Sequence, residues 1–205
     1  VGISNYSGWQ TAQAATWQRA VPGRTPLAST QVEYSLLKRT IESEVMPAAQ
    51  AMGMGVFPWS PLGRGVLTGQ YRNGTPRGSR AASDHFAWFV EPYLEPRSRG
   101  VVEAVVRAAE GLDLTPLQVA LLWVRDAPSV TAPLLGARTP GQLAPALAVE
   151  DAKLPDEIAS ALDDVMDAID AAAAVTRLYK ITHIRPGARR WGTAWPRDRC
   201  HRDPR

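Results

Sequence analysis

The amino-acid sequence predicts an α/β fold with parallel strands. Strand-like apolar stretches alternate with stretches of helical periodicity at a spacing of roughly 27 residues, which is typical of parallel βα units. Polar or turn residues mark the carboxyl ends of the first three strands, at Asn5, Gln31 and Trp59. Because ligands bind at this edge in doubly wound sheets and in barrels alike, we expect the functional site there.

The first part of the chain contributes three predicted strands and two predicted helices. Residues 1–6 are typical of the end of a buried strand followed by a polar turn, so we expect a further segment of the protein to precede them. Apolar residues at helical spacing predict a helix over 9–20, and alternation predicts a strand with one polar face over 26–37. A second helical stripe over 41–52 leads into a short apolar strand at 56–59.

The rest of the chain begins with a long irregular region. Residues 63–95 are rich in Gly, Arg and Ser and are too long for a passive connection, which is typical of a lid or a disordered loop. Helical periodicity follows over 97–111, and Thr115-Pro116-Leu117-Gln118 is a capping box that predicts a helix through Trp123. The remaining predicted elements are a strand over 130–135, a helix begun by the second cap Thr139-Pro140-Gly141-Gln142, and a closing helix over 155–169.

The composition is that of a globular protein. Hydrophobic residues make up 45% of the chain, which is enough for a sizeable core. The single cysteine, Cys200, excludes an internal disulfide. No apolar stretch approaches the roughly 20 residues needed to span a bilayer, and the first residues resemble no signal peptide. We therefore expect a cytoplasmic protein with no membrane partner.

Charge divides the chain into two predicted parts. Residues 171–205 hold nine of the 23 Lys and Arg but only two of the 20 acids, whereas residues 1–170 have more acids than bases. We expect a folded domain over 1–170 and a basic, disordered tail over 171–205. Trp191 and Trp195 offer stacking surfaces in this tail, but it has no periodicity and no motif, so nucleic acid is not an expected partner.

Four groups of residues occur together in one order along the chain. They are Gly2-Ile3-Ser4-Asn5-Tyr6, Gln31-Val32-Glu33-Tyr34, Pro58-Trp59-Ser60-Pro61-Leu62-Gly63-Arg64-Gly65 with Leu67-Thr68-Gly69, and Gly136-Ala137-Arg138-Thr139-Pro140-x-Gln142-Leu143. In this order and near this spacing, over about residues 1–170, they resemble the C-terminal half of the aldo/keto reductases. The bacterial branch similar to potassium-channel β subunits is the best match. The resemblance implies a (β/α)8 TIM barrel, of which this chain supplies about strands 5 to 8, with NADPH or NADP bound at the carboxyl edge.

The resemblance also implies which residues meet the nicotinamide and the pyrophosphate. Ser4, Asn5 and Gln31 would hydrogen-bond the nicotinamide carboxamide, whose one acceptor and two donors can be matched by hydroxyl and amide side chains. Trp59 would stack on the ring. The expected pyrophosphate residues are Ser60, Pro61, Leu62 and Gly63, through their backbone, and Arg80, through its charge.

By the same resemblance, the adenosine end of the cofactor would bind near the helix cap Thr139-Pro140-Gly141-Gln142. Gly136 and Arg138 precede a capped helix whose N–H groups make an anion site, and an Arg beside it suits a phosphomonoester. This is the expected 2′-phosphate site, which favours NADPH over NADH. Gln142, one turn into the helix, would reach the adenosine.

No residue of this chain matches the family's catalytic Asp, Tyr, Lys and His, which lie on early strands. We therefore expect no catalytic residue here, and we expect the isolated chain to be inactive. His85, His183 and His201 share no ligand or triad spacing, so no metal is expected.

The resemblance predicts an NADPH-dependent aldo/keto reductase that reduces a small-molecule carbonyl by hydride transfer, with this chain supplying the cofactor-binding half. Two alternatives stay open. One is a non-catalytic NADPH-binding regulatory subunit, and the other is an inactive truncated protein.

Overall fold

The computed structural model describes the backbone of residues 1–182 and the side chains of residues 1–172. The chain divides into two compact units, Val1–Ala171 and Ala172–Arg205. The first unit contains a parallel sheet and its covering helices. The described residues of the second unit, 172–182, lie in the helix that begins at Asp156.

Within residues 1–182 the sheet has three regular parallel strands, which are the first three of the four that the sequence predicts. Its strands are β1 (Gly2–Ser4), β2 (Ser29–Glu33) and β3 (Gly55–Trp59), in the order β1-β2-β3. Ser4 pairs with Gln31, and Glu33 pairs with Trp59. The three carboxyl ends therefore lie side by side at one edge.

The two helices that connect these strands start and end at local signals in the sequence. Helix α1 (Gly8–Ala20) follows Ser7, whose Oγ accepts a hydrogen bond from Gln10 N while Gln10 Oε1 accepts one from Ser7 N. This reciprocal cap explains why the helix begins one residue before the predicted start. Helix α2 (Val45–Ala51) is shorter than predicted, because residues 40–42 form a separate 3-10 turn.

The predicted fourth strand is not a regular strand, so that prediction was wrong. Val130 forms one parallel bridge with Val56, and Leu134 N donates to Pro58 O at 2.7 Å. Between these contacts, Thr131 Oγ1 accepts from Val56 N at 3.1 Å, where a ladder would use a backbone carbonyl. Pro133 has no N–H to donate, so the ladder cannot continue along this segment.

The long region 63–95 is ordered as a series of short turns. It contains 3-10 turns at Gly63–Thr68, Arg80–Ala82 and Glu91–Tyr93 and the single-turn helix α3 (Ala87–Val90). After it come α4 (Pro96–Leu112), α5 (Pro116–Asp126), α6 (Pro140–Leu147) and α7 (Asp156–Thr182).

Helix α7 is longer than the sequence predicted. It continues to Thr182, through residues 171–182 that were assigned to a disordered tail. Residues 171–174 are four alanines, and alanine has the highest helix propensity of any residue type. This run favours continuation of the helix. The rest of the predicted tail, residues 183–205, lies outside the described residues.

The core contains one face of the sheet together with buried residues of α1, α2, α4 and α5. Val32 and Val56 are buried on this face of the sheet, and the buried residues of α4 and α5 include Val105, Leu121 and Leu122. The alternate residues of β2 differ: Gln31 is exposed, and Ser29 and Glu33 are half-buried. The polar face of the strand is therefore accessible where the functional side chains were predicted. Over the described residues, no helix combines the length and apolarity needed to cross a membrane.

Replacing Thr115 by alanine should lower the free energy of unfolding by about 0.5 to 2 kcal/mol. Thr115 Oγ1 accepts from Gln118 N at 3.3 Å, and the variant loses this half of the α5 capping box, whereas the backbone N–H of residue 115 can still donate to Gln118 Oε1. Urea denaturation measures the change, with Thr75→Ala in the exposed loop as the control. Equal stabilities of the two variants would contradict the prediction.

Candidate functional site

The carboxyl edge of the sheet brings the predicted nicotinamide residues together. Ser4 Oγ donates to Gln31 O at 3.0 Å and lies 3.5 Å from Gln31 Oε1. Asn5 N also donates to Gln31 O, at 2.9 Å. Side chains from the ends of β1 and β2 thus form one polar cluster, which results from the parallel register.

Trp59 joins this cluster from the end of β3. Its Nε1 donates to Asn5 Oδ1 at 2.9 Å. Asn5 has a left-handed backbone with φ of 58°, a conformation that Asn adopts more readily than most residues. This hydrogen bond fixes the orientation of the Asn5 amide and one end of the indole at the same time.

The cluster offers the hydrogen-bonding groups that a carboxamide requires. The Ser4 hydroxyl donates to a backbone carbonyl, so its oxygen is left as an acceptor, and Gln31 Oε1 is a second acceptor. Asn5 Nδ2 has no partner within residues 1–172 and is a free donor. An amide group has two N–H donors and one acceptor, so the residues present fit the nicotinamide carboxamide.

The turn after β3 is built from left-handed residues. Ser60, Gly63, Arg64 and Gly65 all have φ between 53° and 93°. Gly63 N donates to Ser60 O at 2.9 Å and Gly65 N donates to Leu62 O at 3.0 Å. A Cβ on Gly63 would lie 2.9 Å from Leu37 Cδ1, the end of a flexible side chain, so the left-handed φ of 53° is the main reason for glycine here. Pro61 is buried and Leu62 is half-buried, and a pyrophosphate role for this turn stays a prediction.

The structure does not bring Arg80 into contact with the strand edge. Arg80 is exposed at the start of the 3-10 turn Arg80–Ala82. It forms no ion pair or hydrogen bond with another side chain in the described part of the chain. Its charge is available, but its predicted role in binding pyrophosphate rests on the sequence resemblance alone.

The segment Gly136 to Gln142 forms a local hydrogen-bonded loop. Arg138 N donates to Gln142 Oε1 at 2.9 Å, and Gln142 N donates to Thr139 Oγ1 at 3.3 Å. Gln142 therefore shapes the loop. At the start of α6, Pro140 has no N–H, and the N–H of Gln142 is bonded within the loop. The guanidinium of Arg138 is exposed and makes no ion pair with any described residue.

Sequence analysis missed a largely shielded ion pair beside the cluster. Arg64, in the turn after β3, makes a bidentate contact with Glu33 at the end of β2, with distances of 2.8 and 2.9 Å. The sequence did indicate that Glu33 is near the site, because Glu33 and Gln31 lie on the same face of β2. The sequence placed Glu33 only on the polar face of a strand, and Arg64 only within the group Gly63-Arg64-Gly65.

Within residues 1–172, no three His, Cys, Asp or Glu side chains are grouped closely enough to hold a metal ion. The tail residues Trp191, Trp195, His183, His201 and Cys200 lie outside the described residues.

Comparison with known proteins identifies a matching family model and similar proteins over most of this chain. The sequence model of the Aldo/keto reductase family matches residues 1–167. The uncharacterized oxidoreductase YrpG of Bacillus subtilis (strain 168) is 36% identical over 167 residues, which cover 80% of this chain and 48% of that protein.

Two further relatives have names that refer to ion channels. A putative voltage-gated potassium channel subunit beta of Schizosaccharomyces pombe (strain 972 / ATCC 24843) is 34% identical over 172 residues, or 81% of this chain and 49% of the relative. A probable voltage-gated potassium channel subunit beta of Oryza sativa subsp. japonica is 31% identical over 178 residues, or 83% and 51% respectively. The chain spans about half the length of these three relatives.

Proposed function

Because this chain belongs to the aldo/keto reductase family, we propose that it binds NADPH along the carboxyl edge of its parallel strands, for the reduction of a small-molecule carbonyl. The observation that carries the proposal is the cluster of Ser4, Asn5, Gln31 and Trp59. These side chains come from three different strand ends and together match the hydrogen-bonding groups of a carboxamide.

The residues of the cluster have distinct tasks in this proposal. Asn5 donates through Nδ2 to the carboxamide oxygen, while Ser4 Oγ and Gln31 Oε1 accept from its N–H groups. The indole of Trp59, held by Asn5, offers a flat apolar surface for the ring. Together they determine which face of the ring is open to substrate. When bound, NADPH supplies a hydride to the carbonyl carbon.

The adenosine end is assigned to the loop before α6. Arg138 has an exposed guanidinium with no ion-pair partner in residues 1–172, so it can pair with a phosphomonoester at no cost in existing contacts. Gln142 holds the backbone of Arg138 from inside the loop. We therefore propose that Arg138 binds the 2′-phosphate and that Gln142 positions the loop that carries it.

Replacing Asn5 by aspartate tests the nicotinamide site. The variant keeps an acceptor for Trp59 Nε1 and loses the Nδ2 donor, so NADPH affinity should fall about 2- to 13-fold, the effect of one hydrogen bond. Binding of 2′,5′-ADP, which has no nicotinamide, should change less than about twofold. Fluorescence and calorimetric titration of the protein at its full natural length measure both ligands.

The matched control for this test is Asn73→Asp, which adds the same charge in the exposed loop. Unchanged NADPH binding in Asn5→Asp, or an equal loss for NADPH and 2′,5′-ADP, would contradict the assignment of the nicotinamide to this cluster.

A regulatory, non-catalytic role is the second candidate, because two of the relatives are named as potassium-channel β subunits. Both candidates use the same cofactor site, so NADPH binding does not separate them. Turnover does: oxidation of NADPH in the presence of 4-nitrobenzaldehyde supports the reductase, and binding without turnover of any carbonyl supports the regulatory subunit.

A further inference from the structure

We infer that the Glu33–Arg64 ion pair anchors residues 86–93 beside Trp59, which makes Arg64 a positioning residue for the nicotinamide site. The part of this inference that concerns the nicotinamide site rests on the proposed function. The anchoring itself depends only on contacts within the chain.

The ion pair is bidentate and largely shielded from water. Arg64 Nε lies 2.8 Å from Glu33 Oε1, and Arg64 Nη2 lies 2.9 Å from Glu33 Oε2. Both side chains are 13% exposed. Two parallel charge-assisted hydrogen bonds in a shielded position hold the guanidinium in a single orientation.

Arg64 contacts residues 86–93 at several points. Its Nη1 donates to the carbonyl of Phe89. The guanidinium carbon lies 3.7 Å from the centroid of the Phe89 ring and 4.8 Å from that of Tyr93. These contacts join the segment to the strand edge through both hydrogen bonding and cation–π attraction.

Glu33 lies beside the same segment. Burial, and next the neighbouring Glu33 carboxylate, raise the pKa of Tyr93 above its usual range. Glu33, at the end of β2, is thus close to both Arg64 and Tyr93.

Trp59 lies at the edge of this anchor. The Arg64 guanidinium is 5.9 Å from the Trp59 ring centroid, and the indole Nε1 donates to Asn5 Oδ1. Trp59 thus has a hydrogen bond to the residue that follows β1 and a cation of the turn after β3 near its ring. A displacement of Arg64 would therefore change the surroundings of the Trp59 indole.

The backbone of Arg64 indicates that its position is determined by these contacts. Its φ of 58° is in the left-handed region, which is unfavourable for a non-glycine residue and persists only where surrounding structure holds it. A phosphate-binding role is less suitable for this side chain, because Glu33 already neutralises it in bidentate fashion.

A second ion pair on the same stretch of chain provides a matched control. Arg72 also makes a bidentate pair, with Glu103 on α4, at 2.8 and 2.7 Å. Those side chains are 40% and 45% exposed, and Arg72 has no aromatic contact among the described residues. Arg72→Met therefore removes an arginine–glutamate pair of the same geometry without touching the anchor.

The test compares Arg64→Met, Glu33→Gln and Arg72→Met by amide hydrogen exchange without nucleotide. Phe89 N and Leu94 N are bonded within the segment and at its end. Their exchange should accelerate about tenfold in Arg64→Met and less in Glu33→Gln, and should stay within about twofold in Arg72→Met. Glu33→Gln keeps the side-chain volume and decides the test if Arg64→Met does not fold.

The position of Trp59 is read separately by fluorine NMR of protein containing 5-fluorotryptophan, with its resonance assigned from Trp59→Phe. The resonance should shift in Arg64→Met and Glu33→Gln and stay in place in Arg72→Met. Unchanged exchange at residues 86–93, acceleration spread equally over α1 and α4, or an unmoved Trp59 resonance would each overturn the inference. Failure of the wild-type protein to bind NADPH would overturn the proposed function instead.

Discussion

Replacing Arg138 by alanine should weaken NADPH binding about 10- to 150-fold and change NADH binding less than about threefold. Arg138 has an exposed guanidinium that forms no ion pair with residues 1–172, so its removal disturbs no observed side-chain contact. A pairing of the guanidinium with the 2′-phosphate is worth about 1.5 to 3 kcal/mol. Since NADH has no such phosphate, the preference for NADPH should collapse.

Titration of NADPH, NADH and 2′,5′-ADP measures this effect in the protein at its full natural length. Binding of 2′,5′-ADP should fall in parallel with that of NADPH, the opposite of the result expected for Asn5→Asp. The control is Arg24→Ala, an exposed arginine just before β2, at the amino edge of the sheet. An equal loss for NADPH and NADH would show that Arg138 supports the loop, and no loss for either would place the phosphate elsewhere.

Replacing Gly8 by alanine should destabilise the protein by about 1 to 3 kcal/mol, although Gly to Ala in a helix usually stabilises. Gly8 is the first residue of α1, and a Cβ there would lie 2.6 Å from Glu44 O and 2.7 Å from Glu44 C. These are backbone atoms, and Glu44 O also accepts from Ala48 N at the start of α2. The clash can be relieved only by moving the two helices apart.

In the same experiment, Gly111→Ala should raise the free energy of unfolding, the opposite of the effect expected for Gly8→Ala. Gly111 lies in the last turn of α4, and no atom comes within 4 Å of a Cβ built there. This variant should gain about 0.5 to 1 kcal/mol through helix propensity. Chemical denaturation measures both variants, and a gain of the same size in Gly8→Ala would disprove the close contact between α1 and α2.

Elements with strong local signals could be predicted from the sequence. The capping residues Ser7, Thr115 and Thr139 each accept a hydrogen bond from the backbone three residues later. Each cap satisfies an N–H group of its own helix, so neighbouring residues alone determine where the helix begins. The segment 130–135 shows the limit of such reasoning: its apolar residues are typical of a strand, but a ladder also requires a partner edge and an N–H at each bonding position.

The sequence by itself determined the family, the parallel strands and the set of polar residues at their carboxyl ends, because these depend on local pattern and on the order of motifs. Only the tertiary structure decided how those residues meet. The hydrogen bond from Trp59 to Asn5 spans 54 residues, and the Arg64–Glu33 pair spans 31. Such contacts depend on strand register and on the left-handed turn after β3. No local pattern encodes that arrangement, because it arises only when separate strands pack side by side.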